Sequence, residues 1–360
     1  MIYLIDTIGT ETGMHRYDEA FCRALQRQGH QVRICSNFST DGQRPCFGNF
    51  YHGGAVRKVS GLLCALLAVC WLRLRHRSSG DRFVYQSFGL RLIDMLFVLL
   101  FCGSRRLVLI AHDVYEITSV DQCDHHRRLK DQIYRHCVPA ILCHSHDTLR
   151  LLRDDVHYAG RLGYCPHLSY DFVKDVDPQH VGDDIRQLVD ASRPNLLFFG
   201  QVRATKGIHV LLDAIAQLRA TGFDQANIII AGQDKEHLVD TGQLPAFVRT
   251  ALRYITDDEL NYLFMHTQHI LLPYTDIYQS GVLEMVVYFG RHALLSDVPF
   301  FREFAQQYPS FCTLYSPNDG QHLAQAIRDA GSHVHAYDEA DVRRYKAAHD
   351  TACIAHFLYP

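Results

Sequence analysis

The sequence predicts an α/β protein of two domains, each built on a parallel sheet whose strands alternate with helices. The chain has 360 residues, which exceeds the roughly 100–200 residues of one ordinary domain. Its 48% hydrophobic and 21% charged residues are close to globular averages, which excludes a disordered chain and a small disulfide scaffold. In both halves, short apolar runs alternate with helical patterns, as in a parallel sheet.

The first half begins with an apolar run, a polar turn and a helical pattern that carries Tyr17, Phe21 and Leu25 and stops at Gly29. This order is typical of the first strand and helix of such a sheet. Further apolar runs predict the remaining strands of this half, at 2–6, 31–35, 83–86, 107–111 and 140–143.

Two longer apolar stretches, 62–72 and 92–102, could be crossover helices or membrane segments. Both are shorter than the roughly 20 residues of a spanning helix, and Asp94 interrupts the second, so we expect buried crossover helices. Basic residues flank the first stretch, which leaves shallow membrane insertion as an alternative. They are Arg57, Lys58, Arg73, Arg75 and Arg77.

A polar segment at 171–194 resembles an interdomain connection. After it, the second half shows the same alternation of apolar runs and helical patterns. Thr256 with Glu259 forms a capping box that predicts a helix start. Strands are predicted at 195–199, 227–231, 270–273 and 293–295, and helices at 208–218, 256–266, 282–289 and 341–357. The expected domains are therefore 1–175, completed by 341–360, and 190–340.

The spacing of the 12 cysteines and 23 histidines matches no standard zinc-binding motif. An apolar run directly follows Met1, so we expect no secretory signal, reduced thiols and a cytoplasmic protein. Asp175-Val176-Asp177 lies in the expected connection, and the stretch from Cys123 to His146 has no metal-ligand spacing, so no metal and no cofactor are expected.

Charge is divided unevenly between the halves. Residues 1–180 hold 22 Lys and Arg against 18 Asp and Glu, whereas 181–360 hold 14 against 21. The basic half could therefore face an anionic surface.

Two loops of the second half follow predicted strands, where ligands of open α/β sheets bind. In the first, Gly200, Arg203 and Lys206 lead into a helix. Fixed cations beside a helix N-terminus suit a pyrophosphate, although exposed loop charges are an equally good interpretation from residue type alone.

The second loop runs from Pro273 to Glu284. Ser280 and Gly281 precede a helix whose first N–H groups would point at an anion, and Glu284 lies in its first turn. A carboxylate there can accept two hydroxyls of a ribose or another sugar, or simply favour the helix dipole.

Together the segments resemble the family 4 retaining nucleotide-sugar glycosyltransferases, which have the GT-B fold of two facing Rossmann-like domains with an interdomain cleft. The resemblance rests on F-G-x-V-R-x-x-K-G at 199–207 and on an acid, seven residues and a glutamate from Asp276 to Glu284. It extends to Ser296-Asp297-Val298-Pro299, and in the first half to Gly13-Met14-His15, Ala111-His112-Asp113 and Cys165-Pro166-His167.

The resemblance implies a role for each matching residue. Arg203 and Lys206 would stabilise the leaving diphosphate beside Gly200, Asp276 would meet the transferred sugar, and His112 would lie near the reacting centre. The other implied roles are the following: Ser280, Gly281 and Val282 for phosphate, Glu284 for ribose, Tyr254 and Ile255 for the base, and Gly13 and His15 on the acceptor side.

The implied function is transfer of a hexose-type sugar, without a metal, from a nucleotide-diphosphate sugar to a glycan or polyprenyl-linked acceptor in bacterial surface polysaccharide synthesis. Peripheral contact with the inner face of the membrane is part of this expectation, and nucleic acid is not an expected partner. Asp276 replaces the family's usual Glu, and Gln201 stands where many members have Arg. A non-catalytic sugar-nucleotide-binding subunit therefore stays open. A GT-B isomerase or phosphorylase stays open as well, because it would share the diphosphate site.

Overall fold

The structure is a computed structural model, and it describes residues 1–11, 14–39, 43–77, 80–115, 124–168, 177–332, 338–349 and 352–359. The chain divides into two compact units. Unit 1 comprises Met1–Leu168 and His349–Pro360, and unit 2 comprises Ser169–Ala348.

Unit 1 contains a six-stranded parallel sheet in the order β2-β1-β3-β4-β5-β6. Its strands are β1 Ile2–Ile5, β2 Val32–Cys35, β3 Arg82–Phe88, β4 Leu107–Asp113, β5 Ala140–Cys143 and β6 Arg161–Tyr164. Its helices are α1 Met14–Arg27, α2 Ala55–Arg75, α3 Leu92–Leu100, α4 Asp124–Cys137 and α5 His146–Arg150, with a 3₁₀ turn at Gly9–Glu11 and a π-helical turn at Leu151–Asp155.

Unit 2 contains a second six-stranded parallel sheet, in the order β12-β11-β10-β7-β8-β9. Its strands are β7 Asn195–Phe199, β8 Asn227–Ala231, β9 Val248–Ala251, β10 His269–Leu272, β11 His292–Ser296 and β12 Cys312–Tyr315. Its helices are α6 Asp183–Arg186, α7 Ile208–Ala220, α8 Asp257–Met265, α9 Gly281–Tyr288, α10 Pro299–Gln307, α11 Gly320–Ser332 and α12 Glu339–Ala348, and its 3₁₀ turns are Pro178–His180, Ala204–Lys206, Thr241–Gln243 and Pro309–Phe311. The chain continues into α13 Ala352–Leu358, which belongs to unit 1.

Both faces of the unit 2 sheet are buried, as side-chain alternation along its strands requires. Leu197 and Ile229 pack in the cluster on one face. Leu196, Ile228 and Ile230 pack in the cluster on the other. The central strands therefore read as unbroken apolar runs, which is why the sequence predicts β7 and β8 with the bounds that are observed.

Three features differ from the sequence expectation. The segment expected as a connection contributes Val181, Ile185 and Leu188 to the core of unit 2. Two helices, α12 and α13, stand where one closing helix was predicted, and they belong to different units.

The third difference concerns α2, whose residues 62–72 were expected to be buried. Only Ala65, Val69 and Leu72 of this helix are buried. Within the described residues it is the one helix long and apolar enough to cross a membrane, and only 17% of its most apolar window is buried inside the protein.

Candidate functional site

The two loops singled out in the sequence meet at the carboxyl edge of the unit 2 sheet. Strands β7 and β10 are hydrogen-bonded neighbours, so the loops that follow them start side by side. The Thr275 N–H donates to the carbonyl of Thr205 over 3.1 Å. At Gly207, which has φ +69°, a β-carbon would lie 1.7 Å from the carbonyl oxygen of Pro273. Glycine is therefore required where the loops touch.

A second close backbone approach fixes the turn after β7. Gly232, with φ +142°, follows β8, and a β-carbon there would lie 1.7 Å from the carbonyl oxygen of Gly200. The N–H of Gly200 donates to Ala231 over 3.1 Å, and that of Val202 donates to Gln233 over 2.9 Å. The turn that presents Arg203 and Lys206 is thus held by the neighbouring strand.

The two predicted cations of this turn differ in environment. Arg203 is exposed, and within the described parts of the chain its side chain makes no hydrogen bond or ion pair. The ammonium of Lys206 lies 3.8 Å from the ring centroid of Tyr274, whose side chain is buried in the second loop. A cation over an aromatic face is attracted by the ring quadrupole.

The second loop ends in a capped helix start. Ser280 is the N-cap of α9, and its hydroxyl accepts from the Leu283 N–H over 3.2 Å. Gly281 and Val282 form the first turn of α9, whose N–H groups provide the positive end of the helix dipole. Asp276 lies earlier in the loop and is exposed.

Glu284 is buried in the first turn of α9, where it accepts a hydrogen bond from the Tyr345 hydroxyl of α12. Sequence reasoning did not find Tyr345, because 61 residues separate it from Glu284. A buried carboxylate needs such a donor, which orients the side chain.

The segment expected to touch a base follows β9, at the edge of the sheet. Tyr254 is 57% exposed, whereas the side chain of Ile255 is buried in the unit 2 core. The predicted capping box is present, because Thr256 accepts from the Glu259 N–H and Glu259 accepts from the Thr256 N–H. Arg253 pairs with Glu259 over 2.7 Å and lowers the pKa of that carboxyl.

Unit 1 carries a buried polar cluster at the carboxyl edge of its own sheet, and it contains His112. The ring of His112, at the end of β4, stacks on Phe88 with centroids 4.6 Å apart. Its Nε2 is hydrogen-bonded to Oε1 of Gln86, whose amide nitrogen donates to Asp18 Oδ1 over 2.6 Å. Because Gln86 donates through its amide nitrogen to Asp18, its oxygen must accept from His112, so Nε2 of His112 carries a proton.

Asp18 lies beside a second buried carboxyl, Asp6. Burial raises the pKa of Asp6, but Asp6 accepts from the N–H groups of Ile8 and Gly9 over 2.8 and 2.7 Å, which offsets part of the increase. Burial, and then the neighbouring Asp6, raise the pKa of Asp18 well above its usual range. The pKa of Asp18 is thus raised further than that of Asp6, so a proton held by the pair is favoured on Asp18.

Tyr17 forms the other side of this cluster and packs edge-on against His112, His144 and His167. His144 Nδ1 lies 2.8 Å from the carbonyl oxygen of Cys165 and can only donate to it, so Nε2 accepts from the Tyr17 hydroxyl over 2.8 Å. Burial lowers the pKa of His144 to about 3, so the ring is neutral. In the sequence, His144 was considered only within the stretch from Cys123 to His146. The signal that could have found it is its position directly after β5, because His112 lies at the end of the neighbouring strand β4.

Two residues, Gly13 and His15, were expected on the acceptor side. Gly13 lies outside the described residues. His15 is half-buried with its ring 5.9 Å from that of Phe38, and burial lowers its pKa. Cys123 and Asp175 also lie outside the described residues, and the described ones contain no group of three or more His, Cys, Asp or Glu that could hold a metal ion.

Two parallel sheets with these loops at their carboxyl edges define the GT-B fold, and comparison with solved structures confirms it. A sucrose-phosphate synthase from Thermosynechococcus elongatus has 18% sequence identity and a TM-score of 0.67, with 99% of this chain and 94% of that chain covered. HepE from Anabaena in complex with UDP has 15% identity and a TM-score of 0.61 over 98% and 94%. WaaG, a glycosyltransferase involved in lipopolysaccharide biosynthesis, has 15% identity and a TM-score of 0.58 over 98% and 95%.

No protein-family model and no curated protein sequence match the chain. The fold class predicted from sequence is thus confirmed through structure.

Proposed function

We propose that this protein is a retaining glycosyltransferase that moves a hexose-type sugar from a nucleotide-diphosphate donor to a glycan or polyprenyl-linked acceptor. The observation that carries the proposal is the contact between the loops 199–207 and 273–284, which brings Lys206 and the start of α9 to one edge of the unit 2 sheet. GT-B neighbours crystallised with UDP and with UDP-glucose support a nucleotide-sugar donor.

The chemistry needs groups that stabilise a leaving diphosphate. Breaking the bond between the anomeric carbon and the diphosphate oxygen builds negative charge on phosphate and positive charge on the sugar. Arg203, Lys206 and the N–H groups at 280–282 would neutralise the phosphate, which lowers the barrier without a metal. The phosphate oxygen would accept the proton of the attacking acceptor hydroxyl, on the face that it leaves, so the anomeric configuration is retained.

The remaining roles are those that the family resemblance implies. Glu284, oriented by Tyr345, would accept the ribose hydroxyls, and Asp276 would accept hydroxyls of the transferred sugar. Tyr254, exposed beyond β9, would contact the base through its ring, and Ile255 through its backbone. In unit 1, His112 would act on the reacting sugar, and Gly13 and His15 on the acceptor side.

We further propose a role in bacterial surface polysaccharide synthesis, with the protein in the cytoplasm and peripherally bound to the inner face of the membrane. WaaG supports this setting, since it acts in lipopolysaccharide biosynthesis.

The test is nucleotide release from a panel of UDP-, GDP- and ADP-sugars, with and without a lipid extract of bacterial cells as acceptor source. We expect Lys206→Ala and Glu284→Ala to abolish release from the donor that the wild type uses, whereas Lys346→Ala, on the exposed side of α12, leaves it unchanged. NMR of the product's anomeric centre reports retention.

The outcomes separate the alternatives. Turnover of the donor with no glycan product indicates an isomerase or phosphorylase. Calorimetric donor binding without any turnover indicates a non-catalytic subunit. Donor affinity that is unchanged by both Lys206→Ala and Glu284→Ala overturns the placement of the site.

A further inference from the structure

Helix α2 presents a continuous apolar face to solvent. Six large apolar side chains at a spacing of three or four residues are between 55% and 84% exposed, and they form one stripe along the helix. They are Val56, Val59, Leu63, Leu67, Trp71 and Leu74. A helix on a protein surface ordinarily turns polar residues outward, so this stripe indicates an apolar partner.

The opposite face fixes how α2 is held. Ala65, Val69 and Leu72 pack into the unit 1 core. The helix lies in the connection between β2 and β3, and both strands pair with β1. With 21 residues the helix is about 32 Å long, enough to cross a bilayer. Crossing would extract its buried face from the core, so the helix can only lie along a membrane.

The charges of α2 all have one sign. The helix has no Asp or Glu, and it has Arg57 and Lys58 in its first turn and Arg73 and Arg75 in its last. The Arg75 guanidinium lies 5.1 Å from the Trp71 ring centroid, at the border between the apolar stripe and the charged end. Arg73 instead donates to the carbonyls of Leu100 and Cys102, which ties α2 to the end of α3.

Helix α3 contacts α2 and exposes apolar side chains of its own. Leu92 is 73% exposed, and Leu96 and Leu99 lie one and two turns further along the helix, also exposed. The exposed apolar surface therefore involves two neighbouring helices of unit 1.

We propose that α2, assisted by the exposed leucines of α3, docks in the plane of an anionic phospholipid surface. The six apolar side chains would enter the acyl boundary, while Arg57, Lys58 and Arg75 meet lipid phosphates. The proposal extends the membrane contact included in the proposed function by assigning its surface and its lipid chemistry.

The charge pattern favours lipid over a second copy of the chain. In a two-fold dimer that pairs the two apolar stripes along their full length, the ends of one α2 would lie against the ends of the other. Both ends are basic, so either orientation brings like charges together, which opposes association. An anionic lipid surface complements both ends at once.

The test is co-sedimentation of the full chain with vesicles of phosphatidylcholine alone, or of phosphatidylcholine and phosphatidylglycerol in equal amounts. We expect binding to the anionic vesicles that weakens with added salt. Leu67→Asp/Trp71→Asp should lower the partition coefficient roughly a hundredfold, because two apolar side chains no longer enter the bilayer. Arg57→Glu/Lys58→Glu should lower it at least about tenfold on anionic vesicles only.

Met265→Asp is the matched control, since Met265 is 49% exposed but lies on α8 of unit 2. It should bind vesicles as the wild type does. Circular dichroism and nucleotide release without vesicles should be unchanged in every variant, so loss of lipid binding is distinguished from misfolding and from loss of catalysis. If the wild type binds anionic vesicles but turns over no nucleotide sugar, the proposed function is wrong and the proposed membrane surface is supported.

Four results would overturn the proposal. These are a wild type that ignores anionic vesicles, variants that bind as the wild type does, resistance of the membrane-bound protein to alkaline extraction, and a vesicle-free dimer that Leu67→Asp/Trp71→Asp dissociates. The third would indicate a spanning helix, and the fourth an interface between two copies.

Discussion

The ammonium of Lys206 lies 3.8 Å from the ring centroid of Tyr274, so one loop of unit 2 supplies the cation and the other supplies the surface on which it rests. Next to Lys206 in the chain, Gly207 packs against the carbonyl of Pro273, which immediately precedes Tyr274. The cation is therefore positioned both through its side chain and through its backbone.

We predict that Tyr274→Leu lowers nucleotide release by between about twofold and thirtyfold, because a cation–π contact of roughly 0.5–2 kcal/mol no longer orients Lys206. Tyr274→Phe is the matched control, since it keeps the ring and removes only the hydroxyl. Steady-state rates with the preferred donor measure both. Equal losses in the two variants would show that the hydroxyl, rather than the aromatic face, is what matters.

The hydrogen bond from Tyr345 to Glu284 joins the end of unit 2's chain to its candidate donor loop. We predict that Tyr345→Phe lowers the free energy of unfolding by about 1.5–3 kcal/mol, because a buried carboxylate loses a donor. It should also raise KM for the donor up to about tenfold with kcat nearly unchanged, as expected when a binding group is less well oriented.

Tyr308→Phe is the matched control for this prediction, because the Tyr308 ring lies in the same aromatic cluster, 5.3 Å from that of Tyr345. Denaturant unfolding and donor saturation curves are measured for both variants. An unchanged KM in Tyr345→Phe would contradict an orienting role and leave only a structural one.

The sequence predicts the central strands of both sheets because their residues are apolar on both faces. The three strands that it misses, β6, β9 and β12, all lie at sheet edges. An edge strand has one neighbour and more contact with solvent, so its composition is mixed; Arg161–Tyr164 and Val248–Ala251 carry half-exposed residues. The exposure of α2 could not be predicted either. An apolar helical pattern is the same whether the helix packs in the core of the protein or against another partner.

The candidate donor loops could be predicted because each is local in sequence. The unit 1 cluster could not, since Tyr17 and His144 are 127 residues apart and meet only through the order of the strands. Gln86, His112 and His144 share one readable feature, their position toward the carboxyl end of a strand or directly after it. That feature becomes informative only when the sheet order brings those ends together.

We predict that Asp18→Asn stabilises the protein at alkaline pH. The raised pKa of Asp18 means that the folded chain binds more protons than the unfolded chain above the usual Asp pKa. The free energy of unfolding therefore contains a contribution from protonated Asp18. This contribution is fully present below the usual Asp pKa and is lost as the pH rises through the folded-state pKa. Asparagine can accept from Gln86 and donate to Asp6 at every pH, so the variant avoids this loss.

The measurement is the difference in thermal midpoint between variant and wild type at pH 5 and pH 8. We expect this difference to become more positive at the higher pH. Glu19→Gln, in the same turn but partly exposed and paired with Arg23, should show no such trend. A variant destabilised by the same amount at both pH values would contradict a protonated Asp18.

Gln86 is a positioning residue for His112, because its amide is fixed by Asp18 and its oxygen fixes the imidazole proton on Nε2. We predict that Gln86→Leu lowers kcat roughly tenfold to a hundredfold with KM nearly unchanged, since a misoriented imidazole no longer meets the reacting sugar. Gln86→Glu should instead move the pH profile of kcat to higher pH, because a carboxylate beside the ring favours the imidazolium.

In a His112→Ala background, Gln86→Leu should have no further effect on kcat, since both changes act through the His112 ring. Additive losses in that double variant would show that Gln86 acts on turnover by another route, and an unmoved pH profile would show that its contact with His112 is structural.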